Sequence, residues 1–375
     1  MLDAETKFEG YIFRLSINDI EMSSMASVYL NSIATAVPDF DIHDKFVGFG
    51  PSLLRDETSK KLFQRMAKRS QIEHRYSFLK PHKNSGRLDV DNFYVQGKFP
   101  DTHKRMEFYE SHAFLLAQRA LNQVDIENVT HVIVTTCTGF YAPGLDLQIV
   151  NHYGLNPAIE RTIIGFMGCY AALNALKLAR HIVRSEPSAR VLILNLELCT
   201  LHLKQNGTLE EMLSFLIFAD GCAASIISSE PKGLELQSFT STLIPDSGDQ
   251  ITWQIGDLGF DMNLSGRVPA TIASNLPSRL ESMLNGSKRE EIVHWAIHPG
   301  GRSILDAVKD GAGLAENQIS VSRNILRQFG NMSSATIMFV LNEIMENPGS
   351  GGQGCAMAFG PGLTVESMRF QAQGI

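Results

Sequence analysis

Apolar residues recur with two different spacings along the chain, and each spacing predicts one kind of secondary structure. An apolar side chain at every third or fourth position is typical of a helix that buries one face. This pattern predicts helices over residues 57–70, 106–124, 171–184, 301–309 and 331–345. Short runs of apolar and β-branched residues are typical of strands, and unbroken apolar runs suit strands covered on both faces. Such runs lie at residues 26–30, 131–137, 190–198, 222–229, 292–297, 355–359 and 363–368.

The order of these elements begins again after about residue 232, which predicts an α/β chain built from two similar halves. We expect an N-terminal extension at 1–24, a first half at 25–231 and a second half at 232–375. Cys169 precedes a helix in the first half, and Asn331 is predicted to begin a helix at the corresponding place in the second. Helices layered around two sheets are the natural arrangement for such a duplicated pattern.

Composition and charge narrow the class of protein. Hydrophobic residues make up 44% of the 375 positions, which suffices for a large buried core. A net charge of −7 argues against nucleic acid as the main partner. Five cysteines without a C-x-x-C pair fit a reducing compartment, and the eleven histidines show no metal-ligand spacing. The acidic N-terminus and the lack of a run of about 20 apolar residues predict a cytoplasmic protein without a membrane span.

Cys169 is the first candidate for chemistry, because it lies where a glycine-containing turn, 165–168, meets an apolar helix. N–H groups at a helix N-terminus stabilise a thiolate, so this position predicts a lowered thiol pKa and a nucleophilic cysteine. A buried structural cysteine is the alternative, and for a single cysteine it is the commoner case.

His298 and Asn331 supply the groups that such a nucleophile needs. His298 ends an apolar strand before a Pro-Gly-Gly turn, and strand ends in α/β folds gather functional side chains. An imidazole can stabilise a thiolate, and an asparagine N–H can stabilise an oxyanion. Alone, His298 could be a satisfied loop histidine and Asn331 a helix cap. Together with Cys169 they predict acyl transfer through a thioester.

Arg65 and Arg69 are four residues apart in the basic helix predicted at 57–70, so they share one face. They can form a plain solvated face, or they can hold the phosphates of a carrier such as coenzyme A. The spacing of the two arginines leaves both interpretations open.

Four motifs between residues 26 and 370 resemble the type III polyketide synthases, the chalcone synthase-like family of the thiolase superfamily. The motifs are Gly168-Cys169-Tyr170-Ala171, His298-Pro299-Gly300-Gly301, Gly330-Asn331-Met332-Ser333-Ser334-Ala335 and Phe359-Gly360-Pro361-Gly362-Leu363-Thr364-Val365-Glu366. The resemblance implies a thiolase-like, five-layered αβαβα fold and a homodimer that uses CoA thioesters and no other cofactor. It also implies that Cys169 carries the acyl group, and that His298 and Asn331 serve decarboxylation and condensation.

The same resemblance implies the residues of the pocket. Phe218 matches the gatekeeper phenylalanine between the CoA tunnel and the cavity, and Met262 occupies the second gatekeeper position. The pocket is then expected to include Cys137, Thr138, Ala142, Cys199, His202 and Ser333, and the CoA site Arg65, Arg69, Gly300 and Gly301.

Several pocket positions depart from the pattern of the plant enzymes. Ala142 stands where plant members have methionine, Met262 where phenylalanine is usual, and Cys199 and His202 replace threonines. These changes look more like the microbial alkylpyrone and alkylresorcinol synthases. They predict an apolar tunnel suited to an alkyl chain.

The sequence therefore predicts a type III polyketide synthase. We expect it to condense malonyl-CoA iteratively onto a fatty acyl-CoA starter and to close the chain to an alkylpyrone or alkylresorcinol. Two alternatives are a 3-ketoacyl-(acyl carrier protein) synthase III-like enzyme of fatty-acid initiation and an inactive thiolase-like binding subunit. The Pro299-Gly300-Gly301 turn favours the polyketide synthase, and the presence of Cys169 and His298 argues against an inactive subunit.

Overall fold

The computed structural model describes residues 26–205 and 208–374, and these residues contain ten α-helices and thirteen strands. The predicted extension at 1–24 lies outside these residues. The helices are α1 His43–Phe49, α2 Glu57–Ser70, α3 Thr102–Leu121, α4 Leu145–Tyr153, α5 Ala171–Ser185, α6 Leu209–Ile217, α7 Val268–Leu284, α8 Arg302–Ala312, α9 Ser320–Phe329 and α10 Thr336–Glu346. The strands are β1 Tyr29–Ala36, β2 Phe40–Asp41, β3 Tyr76–Ser77, β4 His131–Thr136, β5 Glu160–Gly165, β6 Val191–Leu198, β7 Asp220–Ser228, β8 Leu234–Leu243, β9 Ile251–Gly256, β10 Gly259–Leu264, β11 Ile292–Ile297, β12 Gly352–Gly360 and β13 Thr364–Ala372.

The strand order repeats between the two parts of the chain. The main sheet has the order β11-β12-β13-β8-β1-β7-β6-β4-β5. In the first part β4 pairs with β6 in parallel, β6 with β7 and β7 with β1 antiparallel. In the second part β11 pairs with β12 in parallel, β12 with β13 and β13 with β8 antiparallel. The two series are topologically equivalent, and β5 is the additional strand of the first.

Five layers follow from the way side chains alternate along these strands. Leu192 and Leu194 of β6 pack with α3 and α4, whereas Val191 and Ile193 pack with α5 and α10. The inner helices α5 and α10 also pack on β12, through Ala356, and the opposite face of β12 packs on α7 and α8. Successive residues of a strand point to opposite faces, so unbroken apolar strands become covered on both sides. The predicted αβαβα arrangement is confirmed.

The structure corrects two predicted boundaries. The first strand begins at Tyr29 instead of residue 26. Asn331 does not begin a helix: its backbone forms a parallel β-bridge with Phe218, and α10 begins only at Thr336. The Asn331 C=O accepts from the Ala219 N–H in that bridge, and this pairing takes the place of the first intrahelical hydrogen bond.

No helix in the described parts of the chain has the length and apolar character needed to cross a membrane.

Candidate active site

A buried cavity of about 70 Å³ lies where loops from both parts of the chain meet. Most of the residues predicted as catalytic, gatekeeper or pocket residues line it, together with Gly300 of the predicted CoA site. They are Cys137, Thr138, Cys169, Cys199, Phe218, Met262, His298, Gly300, Asn331 and Ser333. The structure therefore brings all three catalytic candidates to one cavity.

Cys169 lies in a short 3₁₀ helix, Gly168–Tyr170, between β5 and α5. Gly168 allows the turn: its φ is +74°, and a Cβ atom there would lie 2.6 Å from Pro361. The Gly168 N–H donates to the sulfur of Cys137 at 3.2 Å. The Cys169 thiol in turn contacts Ser333 Oγ at 3.8 Å. Cys169 is thus held between a loop of its own half and the loop that carries Asn331.

Burial raises the pKa of the Cys169 thiol to about 11, which is opposite to the lowering predicted from the helix start. Removal from water penalises the thiolate more than the contact with Ser333 favours it, and the nearby Glu197 carboxyl adds to the rise. Sequence position alone could not give the direction, because the cost of desolvation depends on packing from the second half of the chain. At pH 7 the resting cysteine is a neutral thiol.

His298 follows β11 directly and is 1% exposed. Its backbone N–H donates to Met357 O at 2.8 Å, which extends the pairing of β11 with β12 by one residue. Neither ring nitrogen has a hydrogen-bond partner among the described residues. Burial lowers the pKa of His298 to about 3, so the ring is neutral. A buried imidazole with both nitrogens unpaired, on the wall of a cavity, is arranged to bind a ligand.

Asn331 is fixed so that its side-chain amide can donate a hydrogen bond. Its Oδ1 accepts from the Ser333 N–H at 2.9 Å and from Thr336 Oγ1 at 3.3 Å. Its Nδ2 lies 3.4 Å from Gly300 O, in the turn that follows His298. Because the backbone N–H of Ser333 can only donate, it identifies the oxygen of the Asn331 side chain. The Nδ2 group is therefore the one presented beside His298 and the cavity.

An outer groove of about 660 Å³ adjoins the cavity. The two share Leu264, Val268, Gly300 and Ile304 on their walls. Arg69, Gly301 and Arg302 also line the groove, whereas Arg65 is exposed and lines neither space. Of the two arginines predicted to hold coenzyme A, the structure brings only Arg69 to a path that leads to Cys169.

Both halves of the chain match one family. Residues 29–231 match the family "Chalcone and stilbene synthases, N-terminal domain", and residues 235–373 match the C-terminal domain of the same family. The chain belongs to this family. It is a type III polyketide synthase, a condensing enzyme of the acyltransferase kind, and the predicted family is confirmed.

Individual relatives agree with this assignment. "Alpha-pyrone synthesis polyketide synthase-like Pks18" of Mycobacterium tuberculosis is 34% identical over 284 residues, which are 71% of this chain and 72% of that protein. The crystal structure of PKS-I from the brown alga Ectocarpus siliculosus has a TM-score of 0.85 at 26% identity, over 94% and 100% of the two chains. The type III domain of Steely1 from Dictyostelium shares the fold, with a TM-score of 0.83 at 24% identity over 92% and 99%. These matches support neither the carrier-protein-dependent synthase nor the inactive subunit.

Two predicted pocket residues of the synthase do not line the cavity. Ala142 is exposed, in the loop between β4 and α4. His202 is fully buried behind the wall, where its Nδ1 accepts from the Phe260 N–H at 3.1 Å and its Nε2 lies 2.7 Å from Thr138 O. A carbonyl can only accept, so Nε2 carries the proton and both nitrogens are engaged. Burial lowers the pKa of His202 to about 3, and the ring stays neutral.

Two residues of the synthase site were missed in the sequence. Trp253 lines the cavity, and its indole N–H donates to Cys137 O at 2.7 Å. Glu197 is fully buried, and its carboxylate accepts from the Cys137 N–H at 2.9 Å and from Thr138 Oγ1 at 2.9 Å. A glutamate inside the largely apolar β6 was the available signal, because a charge is placed in a buried strand only with dedicated partners.

A group of three possible metal ligands lies away from this site. His131, Glu160 and Glu186 have ligand atoms within 4.8 Å of one another, and both carboxylates are exposed. His131 begins β4, whereas Cys137 follows the other end of that strand. The group is thus at the opposite end of the sheet from the cavity and has no part in its chemistry.

Proposed function

We propose that this synthase loads an acyl-CoA starter onto Cys169 and extends it with malonyl-CoA, which is decarboxylated beside His298 and Asn331. The observation that carries the proposal is the convergence of these three side chains on one cavity that adjoins an outer groove. The substrates are CoA thioesters, and no further cofactor is required. The division into an extension, a first half at 25–231 and a second at 232–375 remains a prediction, as does a cytoplasmic location.

Loading requires that Cys169 give up its proton while its sulfur forms the new bond. The thiol pKa is raised to about 11 and the pKa of His298 is lowered to about 3, so the separated ions are not the resting state. Proton transfer to the unpaired ring of His298 therefore accompanies attack on the acyl carbonyl. The thiolate of coenzyme A leaves and takes the proton, so that the acyl group ends on Cys169.

Decarboxylation places negative charge on the thioester oxygen of the malonyl group. The Asn331 Nδ2 group can donate to that oxygen, since its Oδ1 is already held by the Ser333 N–H. Carbon dioxide leaves, and the resulting enolate attacks the acyl carbon on Cys169 and releases the thiolate. The extended chain is then a CoA ester, which returns to Cys169 for the next cycle.

We further propose a fatty acyl starter and closure of the extended chain to an alkylpyrone or alkylresorcinol. The relative at 34% identity carries alpha-pyrone synthesis in its name, and the cavity wall is largely apolar through Phe218, Met262 and Leu264. An apolar wall favours an alkyl chain by about 0.8 kcal/mol for each buried methylene.

A homodimer is the proposed assembly of the synthase. Strand β5 is the last strand of the main sheet, so one of its edges is unpaired in the described chain. Residues Glu160–Ile163 of this strand are exposed, and Ile163 remains 44% exposed. An unpaired edge with an exposed apolar side chain suits addition of the same strand from a second copy.

Product analysis tests the proposed function. The synthase is incubated with malonyl-CoA and a series of acyl-CoA starters, and the products and the intact protein are analysed by mass spectrometry. We expect pyrone or resorcinol products and a single acyl adduct, and C169A should give neither. Release of products by C169A, or a requirement for an acyl carrier protein, would contradict the proposal.

A further inference from the structure

Arg75 is 2% exposed, and its guanidinium meets the C-terminal end of α6. Its Nη1 donates to the carbonyl oxygens of Phe215 at 2.8 Å and Phe218 at 2.7 Å, and its Nε donates to His43 Nδ1 at 3.0 Å. The last carbonyls of a helix have no intrahelical N–H partner and carry partial negative charge. Arg75 supplies both the donors and the charge, so it fixes the backbone at Phe218.

The segment that Arg75 fixes is bonded to Asn331. The Asn331 N–H donates to Ile217 O at 2.8 Å, and the Ala219 N–H donates to Asn331 O at 2.9 Å. These two bonds flank Phe218, which lines the cavity together with Asn331. A displacement of the backbone at Phe218 is therefore transmitted to Asn331.

Arg75 also contacts the chain on the Asn331 side of this bridge. Gly330 has a φ of +69°, and a Cβ atom there would lie 2.8 Å from Arg75 Cγ and 2.8 Å from Ile217 O. The absence of a side chain at Gly330 lets the aliphatic part of Arg75 pack directly against its backbone. Arg75 thus touches both segments of the bridge.

The guanidinium is charged and makes no hydrogen bond to a carboxylate among the described residues. Burial lowers the pKa of Arg75 to about 10, which leaves it protonated at pH 7. Its Nη2 has no partner in the described chain, and Arg75 and Phe218 both line a separate cavity of about 20 Å³. The carboxylates of Asp41 and Asp220 favour the charge from a distance, and the guanidinium donates instead to His43 and to two backbone carbonyls. Two of its three side-chain hydrogen bonds go to the carbonyls of Phe215 and Phe218, at the end of α6 next to the gatekeeper candidate.

We propose that Arg75 is a positioning residue that holds Phe218 and Asn331 in register beside Cys169, and that decarboxylation depends on it although it touches no substrate. The inference rests on the proposed function, because its kinetic consequence is a change in malonyl-CoA decarboxylation. The proposal also predicts a rigid bridge between residues 217–219 and Asn331. That rigidity can be measured without any substrate.

The test compares R75K with R105K. Lysine keeps the charge but cannot span the three acceptors of Arg75. Arg105 is the matched control, since it is equally buried and donates to Pro100 O, Leu201 O and Leu203 O, away from the bridge. For R75K we expect kcat for malonyl-CoA decarboxylation to fall at least tenfold, while KM stays within twofold of the parent value. We also expect hydrogen exchange of the backbone amides to accelerate at least tenfold in peptides that cover residues 217–219 and 331. R105K should change neither quantity in this way.

Equal effects of R75K and R105K, or unchanged kcat and amide exchange in R75K, would overturn the inference. If R75K does not fold, H43L is the second variant, because it removes only the acceptor of Arg75 Nε. H43L should lower kcat and accelerate amide exchange at the bridge, to a smaller extent than R75K. The absence of both effects in H43L would overturn the inference. A parent enzyme that does not decarboxylate malonyl-CoA would refute the proposed function. The exchange measurement would still decide whether Arg75 holds the bridge.

Discussion

Ser334 Oγ donates a hydrogen bond of 2.6 Å to Oε1 of Glu197 and so joins the two halves of the chain beside the catalytic cavity. The other carboxylate oxygen accepts from the Cys137 N–H and from Thr138 Oγ1. Three donors therefore converge on one buried carboxylate, on the first-half side of the cavity. Even so, burial raises the pKa of Glu197 to about 7, because these bonds offset only part of the cost of desolvation.

The raised pKa of Glu197 gives a pH-dependent stability. The folded protein binds this proton more tightly than the unfolded chain, so the free energy of unfolding falls as pH rises from about 4.5 to about 7. This carboxyl contributes a fall of up to about 3 kcal/mol. We expect E197Q to lose that contribution, which urea unfolding at pH 5 and pH 8 would measure. An unchanged pH dependence in E197Q would contradict the prediction.

Cys169 should react slowly with alkylating agents at neutral pH. Because burial raises its thiol pKa to about 11, the thiolate fraction grows about tenfold for each pH unit below that value. The rate of iodoacetamide addition, followed by intact mass, should therefore keep rising between pH 7 and pH 9. C169A is the control and should remain unmodified, since the other four cysteines are buried. A rate that levels off below pH 8 would show a preformed thiolate.

Asn331 should matter for decarboxylation more than for loading. Loss of one oxyanion donor lowers the rate by about 10²–10³, so N331A should lose malonyl-CoA decarboxylation by about that factor. Acylation of Cys169 should still be visible by intact mass, because that step uses the sulfur and His298. N331A also removes the acceptor of the Ser333 N–H, so its folding is checked by thermal unfolding. Normal decarboxylation in a folded N331A would place the oxyanion donor elsewhere.

The variants R69A and R65A form a matched pair that tests whether Arg69 belongs to the CoA site. Arg69 lines the groove that adjoins the cavity, and Arg65, one turn away on α2, does not. A phosphate contact binds the ground state and the transition state alike, so R69A should raise KM for malonyl-CoA with little change in kcat. R65A should leave both parameters near those of the parent. Equal rises of KM in the two variants would indicate a general effect of charge.

Trp253 should limit the length of the chain that the inner cavity accepts. Its indole is held by the hydrogen bond to Cys137 O and packs edge-on against His202 and Phe260, so it cannot move aside without losing these contacts. W253A should shift kcat/KM toward dodecanoyl-CoA over hexanoyl-CoA by about tenfold, which corresponds to roughly 1.4 kcal/mol. W253F keeps most of the ring volume and is the control. An unchanged ratio in W253A would show that the alkyl chain follows another wall.

Features that depend on local sequence could be predicted. The layered fold follows from periodicity and from largely apolar strands such as Val191–Leu198. Cys169, His298 and Asn331 were found because each lies in a turn at the end of an element. The meeting of these three residues at one cavity depends on the tertiary structure, but it was expected from the resemblance of their motifs to the family.

Features that depend on packing between distant segments could not be predicted. Ala142 and His202 occupy expected sequence positions, yet one lies in an exposed loop and the other behind the cavity wall. The direction of the Cys169 pKa shift is set by burial against the second half of the chain. Asn331 has the sequence context of a helix start, but its backbone pairs with Phe218, 113 positions away in the chain.

The equivalence of β4-β6-β7-β1 and β11-β12-β13-β8 has a consequence for the origin of the site. Cys169 and Asn331 both lie in the loop that enters the inner helix of their own half, α5 or α10. If the halves descend from one duplicated ancestor, a symmetric pair of identical loops once faced each other across the same space. The two proposed roles would then have arisen by divergence of one duplicated loop, with the nucleophile in one copy and the donor to the oxyanion in the other.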